Sequence, residues 1–138
     1  MRDAVITIQF DDDRRVYQPG ETLSGHFHVA SISTAEPQVI ELSVLWYTEG
    51  QGDEDLAVHY FQRFAAEAET MADLRRTQSF NTTLPNSPLS YDGILVRIYW
   101  CVRVRLFMAR GKEVVTEEPF RLGDVPAAPV PLLEEVAP

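Results

Sequence analysis

Apolar and polar side chains alternate along most of this chain, in runs separated by proline, glycine, asparagine and aspartate. Alternation with a period of two is typical of strands that bury one face, and the separating residues favour turns. The pattern predicts strands over residues 4–10, 22–33, 38–48, 56–64, 78–84, 94–106 and 112–122. Strands of this number and length predict an all-β fold, a sandwich of two antiparallel sheets.

The longest run shows the alternation most clearly. One set of side chains is apolar, and we expect this set to face the core. It consists of Ile94, Val96, Ile98, Trp100, Val102, Val104 and Leu106. The opposite set consists of Arg97, Tyr99, Cys101, Arg103 and Arg105.

Two segments break the alternation. Residues 64–76 are rich in Ala, Glu and Met with apolar side chains at helical spacing, which indicates either one short helix or a loop between the sheets. After Leu122, four prolines exclude regular structure over most of the remaining chain. The sequence therefore predicts a sandwich domain over residues 1–122 and a proline-rich tail over residues 123–138.

Composition and charge narrow the possible partners. Twelve basic against 21 acidic residues give a net charge of −9, so we expect no nucleic-acid partner. The one cysteine, Cys101, excludes an intramolecular disulfide. No apolar run is long enough to cross a membrane, and the amino terminus lacks the pattern of a secretion signal. We therefore expect a cytoplasmic protein with no integral membrane segment.

Two motifs carry a resemblance to a known fold. The first, from Tyr17 to Glu21, reads Tyr-Gln-Pro-Gly-Glu, and the second, from Leu84 to Gly93, contains Leu-Pro, a further proline and Ser-Tyr-Asp-Gly. Together, and in this order, they resemble the signature of the amino-terminal sandwich in arrestin-domain proteins. The resemblance spans roughly Val5 to Leu122 and implies an arrestin-like, immunoglobulin-like sandwich. Since these residues are prolines, glycines and apolar side chains, we expect them to determine architecture rather than to bind a partner.

The resemblance also has limits that bear on function. Arrestins proper and the arrestin-like subunit of retromer carry two such sandwiches, whereas this chain has room for one; sporulation-control proteins of this fold are longer too. Receptor arrestins resemble one another in a basic patch on the first strands, whereas this chain has three aspartates, residues 11–13, before Arg14 and Arg15. The resemblance therefore implies a non-catalytic protein-interaction or scaffolding module that binds through a sheet face or an edge strand.

One strand face is a candidate for such binding. Arg97, Arg103 and Arg105 form a basic stripe, with Tyr99 among them as an aromatic anchor. A hairpin after this strand would bring three glutamates alongside, namely Glu113, Glu117 and Glu118. The stripe is either neutralised by cross-strand ion pairs or contacts an acidic or polar partner.

The tail is a second candidate. Leu132 and Leu133 are apolar residues among prolines and glutamates. Such a segment is either a disordered end or an extended arm that docks on a sheet edge of its own or a neighbouring copy. The protein partner is therefore unknown, and a homodimer through an edge strand or through the tail is one possibility. A structural subunit of an oligomeric assembly is an alternative function.

A metal site or an enzyme is the remaining alternative. His26 and His28 lie two residues apart on one strand face, where both could approach a metal with His59 or a carboxylate as a further ligand. The motif is weak, however, and we favour surface or cross-strand pairing as the explanation of the two histidines. The chain lacks a nucleophile elbow and a phosphate-binding loop, and its carboxylate clusters fall in predicted loop tips. We therefore expect no enzyme and no cofactor.

Overall fold

The computed structural model describes residues 4–31, 37–52, 54–65 and 76–123. These residues form nine strands, and two short 3-10 turns follow β1 and β8. The strands are β1 (Ala4–Phe10), β2 (Val16–Tyr17), β3 (Thr22–Ser31), β4 (Pro37–Gly50), β5 (Leu56–Ala65), β6 (Gln78–Thr83), β7 (Tyr91–Asp92), β8 (Val96–Met108) and β9 (Glu113–Leu122). The helix or loop predicted over residues 64–76 falls mainly on residues 66–75, and those lie outside the described residues, as does the tail after residue 123.

The strands form two sheets. The smaller has the order β1-β3-β6, and the larger has the order β2-β9-β8-β4-β5 with β7 paired to β8. All neighbours are antiparallel except β2 and β9. This arrangement confirms the all-β sandwich, and it places β5 at one end of the larger sheet with β4 as its only described neighbour.

The core lies between the sheets and is built by alternation. In β4 and β8 every second side chain is buried, and these residues are Ile40, Leu42, Val44, Trp100, Val102, Val104 and Leu106. Apolar side chains of the smaller sheet face them, among them Ile6, Ile8, Leu23 and Phe27. Burial of each such side chain stabilises the fold by about 1.5–3 kcal/mol.

The core is shorter than the alternation predicts at one end of β8. Ile94 and Val96, which were expected to face the core, are 56% and 36% exposed. The reason is a turn before the strand, in which the Gly93 amide donates to the Val96 carbonyl at 3.0 Å. The turn takes Ile94 and Leu95 out of the strand, and Val96, which begins β8, lies at the exposed end of its apolar face.

The two motifs that carry the resemblance bond directly to each other. In the first motif, Gly20 has a φ of +85°, a left-handed conformation that favours glycine and lets the Glu21 amide donate to the Gln18 carbonyl at 3.0 Å. The Gly20 amide then donates to the Leu84 carbonyl, and the Leu84 amide donates to the Glu21 carbonyl, at 3.0 and 2.9 Å. The motifs therefore join the turn before β3 to the end of β6.

The second motif also ties the chain between β6 and β8 to the larger sheet. The indole nitrogen of Trp100 donates to the Pro88 carbonyl at 2.7 Å. The buried Ser90 exchanges two hydrogen bonds with Leu122, through its amide at 2.7 Å and its hydroxyl at 2.8 Å. These residues hold strands together, which is an architectural role.

Gly25 in β3 provides a test of this packing. A Cβ at this position would contact the Gln9 carbonyl oxygen, and it would lie 2.9 Å from the ring of Phe80. We expect Gly25→Ala to lower the free energy of unfolding by about 1–3 kcal/mol, because the added methyl group cannot fit unless the backbone of β1 and the ring of Phe80 shift. Urea denaturation measures the change, with Ser24→Ala as the control on the other side of β3; equal stability of the two variants would contradict the packing described.

Candidate binding surface

The outer face of the larger sheet, the side turned away from the smaller sheet, carries most of the candidate residues. Because alternation sends one set of side chains inward, the other set of β4 and β8 must point outward. The strand register places these outward residues opposite each other in pairs. The pairs are Tyr47 with Tyr99, Leu45 with Cys101, Ser43 with Arg103, and Glu41 with Arg105.

An apolar band crosses this outer face. Leu45 and Cys101 are only 1% and 3% exposed although they do not belong to the core between the sheets. The rings of Tyr47 and Tyr99 lie beside them with centroids 5.5 Å apart. Desolvation by burial, with the nearby Glu117 as a smaller cause, raises the pKa of the Cys101 thiol to about 12. The thiol is therefore protonated at neutral pH and unsuited to nucleophilic chemistry.

Strand β5 continues the apolar band to the end of the sheet. Its outward side chains Leu56, Val58 and Phe61 are 54%, 50% and 51% exposed. Val58 and Phe61 are three residues apart and still share a face, because the register against β4 shifts between Val44 and Leu45 and leaves one extra residue in β5. The band therefore ends in three exposed apolar side chains on an end strand.

The extra residue in β5 is His59, and it connects the two sheets. Its Nε2 lies 2.9 Å from the Thr83 carbonyl oxygen and 3.2 Å from the Thr82 hydroxyl, both at the end of β6. Its ring lies edge-on to Trp100 with centroids 6.0 Å apart. The bulge thus serves two purposes: it turns His59 inward and keeps Phe61 outward.

The predicted basic stripe lies on the outer face, and carboxylates neutralise it. Arg103 Nε lies 2.6 Å from Glu117, and Arg105 Nε lies 3.3 Å from Glu113, as the hairpin between β8 and β9 predicts. Arg97 Nε lies 3.3 Å from Asp92 in β7. The structure therefore contains the cross-strand ion pairs that were one of the two expectations for the stripe.

The expectation for Glu118 was wrong. This residue pairs with Arg15 at 2.8 Å instead of joining the stripe. The register places Glu118 opposite the inward-facing Val102, so its side chain leaves the sheet on the other side from Glu117.

Two depressions lie along the outer face. One, of about 190 Å³, is lined by Glu41, Ser43, Leu45, Val58, Phe61, Arg103 and Arg105. The second, of about 280 Å³, is lined by Tyr47, Thr48, Glu54, Asp55, Leu56 and Arg103. Arg103 borders both depressions, so they form neighbouring parts of one surface.

The sequence predicts only some of the residues of the candidate surface. The tail candidates Leu132 and Leu133 lie outside the described residues. Leu45, Val58 and Phe61 were not predicted as surface residues. The run over residues 56–64 has apolar side chains at both alternate positions, and this departure from one-sided alternation is the signal that points to them.

The histidine pair lies on the outward side of the smaller sheet. His26 Nε2 is 2.9 Å from Gln9 Oε1, and its Nδ1 is 3.5 Å from Asp11. His59 packs between the sheets and so does not join this pair. Over the part of the chain that the structure describes, no group of three or more His, Cys, Asp or Glu side chains could hold a metal ion. The same part contains no helix that is long and apolar enough to span a membrane.

Comparison with known proteins supports the fold. No family model matches the chain, and no curated protein matches it. A crystal structure of Spo0M, a sporulation control protein from Bacillus subtilis, is similar with a TM-score of 0.62 and 14% sequence identity. The match covers 91% of this chain and 51% of that one, so this chain spans about half the length of Spo0M. The likeness shows the fold, and it confirms that the sandwich is arrestin-like.

The state of Cys101 can be tested by alkylation. We expect iodoacetamide to leave the folded protein unmodified at mildly alkaline pH and to modify it fully in denaturant, because the buried thiol is protonated and inaccessible. Mass spectrometry measures the labelling. Rapid labelling of the folded chain would contradict the buried apolar band.

A double-mutant cycle tests the ion pair between Arg103 and Glu117. We expect a coupling energy of about 0.5–1 kcal/mol, which decreases in high salt, because both side chains are partly exposed. Alanine variants and urea denaturation supply the measurement. The pair of Arg63 and Glu41, at 3.9 Å, is the control and should show a smaller coupling. Equal coupling in the two cycles would contradict the pairing described here.

Proposed function

We propose that this chain, which has an arrestin-like fold, is a non-catalytic protein-interaction or scaffolding module of the cytoplasm. The binding site that we propose is the outer face of the larger sheet together with its end strand β5. The observation that carries the proposal is the apolar band on this face, which leads from the buried Leu45 and Cys101 to the exposed Val58 and Phe61.

The composition of the outer face supports a protein partner. Binding interfaces of proteins commonly have an aromatic and apolar centre with a polar rim. Here the centre is formed by the band and by the contact between Tyr47 and Tyr99. The rim is formed by the ion pairs of Arg103 and Arg105 with glutamates of β9. An exposed apolar patch with such a rim is typical of an interaction site.

In this proposal the arginines orient the partner more than they increase its binding affinity. Arg97, Arg103 and Arg105 each lie beside a carboxylate, so a partner does not have to neutralise them. Arg105 Nε is nevertheless buried and, among the described residues, has no hydrogen-bond partner, because its contact with Glu113 is poorly aligned. A hydrogen-bond acceptor of the partner that enters the adjacent depression would satisfy this donor.

The chemistry of the surface supports binding rather than catalysis. The Cys101 thiol is buried and protonated, and the carboxylates of Glu113 and Glu117 lie against arginines. A nucleophile, an acid or a base would need a reactive group directed at a substrate. Spo0M is a sporulation control protein, and a control role that is exercised through contact with other proteins would suit such a module.

Site-specific photo-crosslinking tests the proposal. The photoreactive amino acid benzoylphenylalanine replaces Tyr99 on the outer face, or His28 on the outward side of the smaller sheet as the control. In cells that naturally produce the protein, we expect a discrete protein adduct from position 99 and none from position 28. Adding Phe61→Asp to the Tyr99 probe should abolish the adduct, because a charge then enters the apolar patch. Equal adducts from both positions, or none from position 99, would contradict the proposed site.

A further inference from the structure

Strand β5 has the features of a strand that pairs with another strand. It has ten residues, lies at the end of the larger sheet, and has β4 as its only described neighbour. An end strand exposes a row of unpaired backbone groups, and proteins commonly protect such edges with proline, lysine or inward-pointing charge. Strand β5 contains no proline and no lysine, and its outward side chains in the middle are apolar.

The two ends of β5 carry opposite charges. Glu54 and Asp55 precede the strand and are exposed, whereas Arg63 lies near its other end with a side chain 55% exposed. Among the described residues the one ion pair of Arg63 is with Glu41, and it is long, at 3.9 Å, so a guanidinium with five N–H donors is not saturated by it. An antiparallel copy of the same strand would therefore meet it with opposite charge at both ends and apolar side chains in the middle.

We infer that β5 pairs with β5 of a second copy of this chain, antiparallel and about a two-fold axis. This inference rests on the proposed function, because it names the partner of the same surface. The pairing joins two six-stranded sheets into one continuous sheet, in the manner of strand addition. It also brings the apolar bands of the two copies together on one side.

The bulge at His59 specifies the register of the pairing. Opposite residues in an antiparallel pair point to the same side of the sheet. A register must therefore place each outward side chain opposite an outward side chain of the other strand, along the whole length of both strands. The extra residue makes the outward set Leu56, Val58, Phe61 and Arg63. Only a register with Val58 opposite Phe61 of the second copy keeps this match through the bulges of both strands. In that register Arg63 of the second copy is opposite Leu56 of the first copy, which places its guanidinium near Asp55 of the first copy.

Light scattering of the full chain is the first test. We expect the mass to rise with concentration from 15.6 kDa towards twice that value. Val58→Lys should raise the dissociation constant of the dimer at least about tenfold, because two lysines then lie near the axis. The matched control is Val5→Lys on the edge strand β1, since Val5 and Val58 are 49% and 50% exposed. A mass of one chain at every concentration, or equal effects of the two lysines, overturns the proposal.

Disulfide formation between mixed variants tests the register. A Val58→Cys chain mixed with a Phe61→Cys chain should form a mixed disulfide-linked dimer under a mild oxidant, in higher yield than either chain alone. Phe61→Cys mixed with Val5→Cys is the control, and the native Cys101 is buried. A yield no higher than that of the control overturns the inference even if Val58→Lys fails to fold.

The two proposals fail in different ways. A purified protein that stays monomeric while the Tyr99 probe forms adducts in cells overturns the β5 dimer and leaves the interaction function in place. A dimer with the expected disulfide and no adduct from the Tyr99 probe supports the β5 pairing and removes the outer face as a site for other proteins.

Discussion

The burial of one side of β4 and β8 is the interaction on which the rest of this structure depends. The two strands pair from Pro37 opposite Met108 to Gly50 opposite Val96, and their inward side chains fill the middle of the core. Each fully buried side chain contributes about 1.5–3 kcal/mol, so the register of these strands cannot slip by one residue without exposing the whole set. The same register determines which side chains the outer face must present.

The outer face is therefore a consequence of the core, and its composition is informative. A face with no partner needs only polar side chains, and here the arginines and glutamates of β8 and β9 form such pairs. Val58 and Phe61 do not fit that explanation, because they are half exposed, and apolar side chains on an outward face stabilise the fold only where something covers them. The strand order strengthens the argument, because it places these exposed apolar side chains on β5, at the end of the sheet. The interaction function that we propose rests on this combination and not on any reactive residue.

The sequence predicts the long strands well, because alternation is a local property. The short strands β2 and β7 were not predicted, since two residues cannot show alternation. The motifs around Gly20 and Leu84 predict the fold through their resemblance to arrestin-domain proteins, and the structure shows the two motifs bonded to each other. Glu118 was misplaced because adjacent residues of a strand point to opposite sides of the sheet, so Glu117 and Glu118 cannot both lie beside the stripe. The position of β5 at a sheet end depends on long-range strand order, and alternation within one strand carries no information about that order.

Hydrogen exchange of backbone amides, followed at several concentrations of the full chain, tests the central claim most directly. The amides of β5 report on whether the edge that faces away from β4 is paired, and those of β1, an end strand of the smaller sheet, serve as the internal reference. The account predicts that protection of β5 rises with protein concentration while protection of β1 stays constant. Protection of β5 that does not depend on concentration, or that changes in parallel with β1, would contradict it.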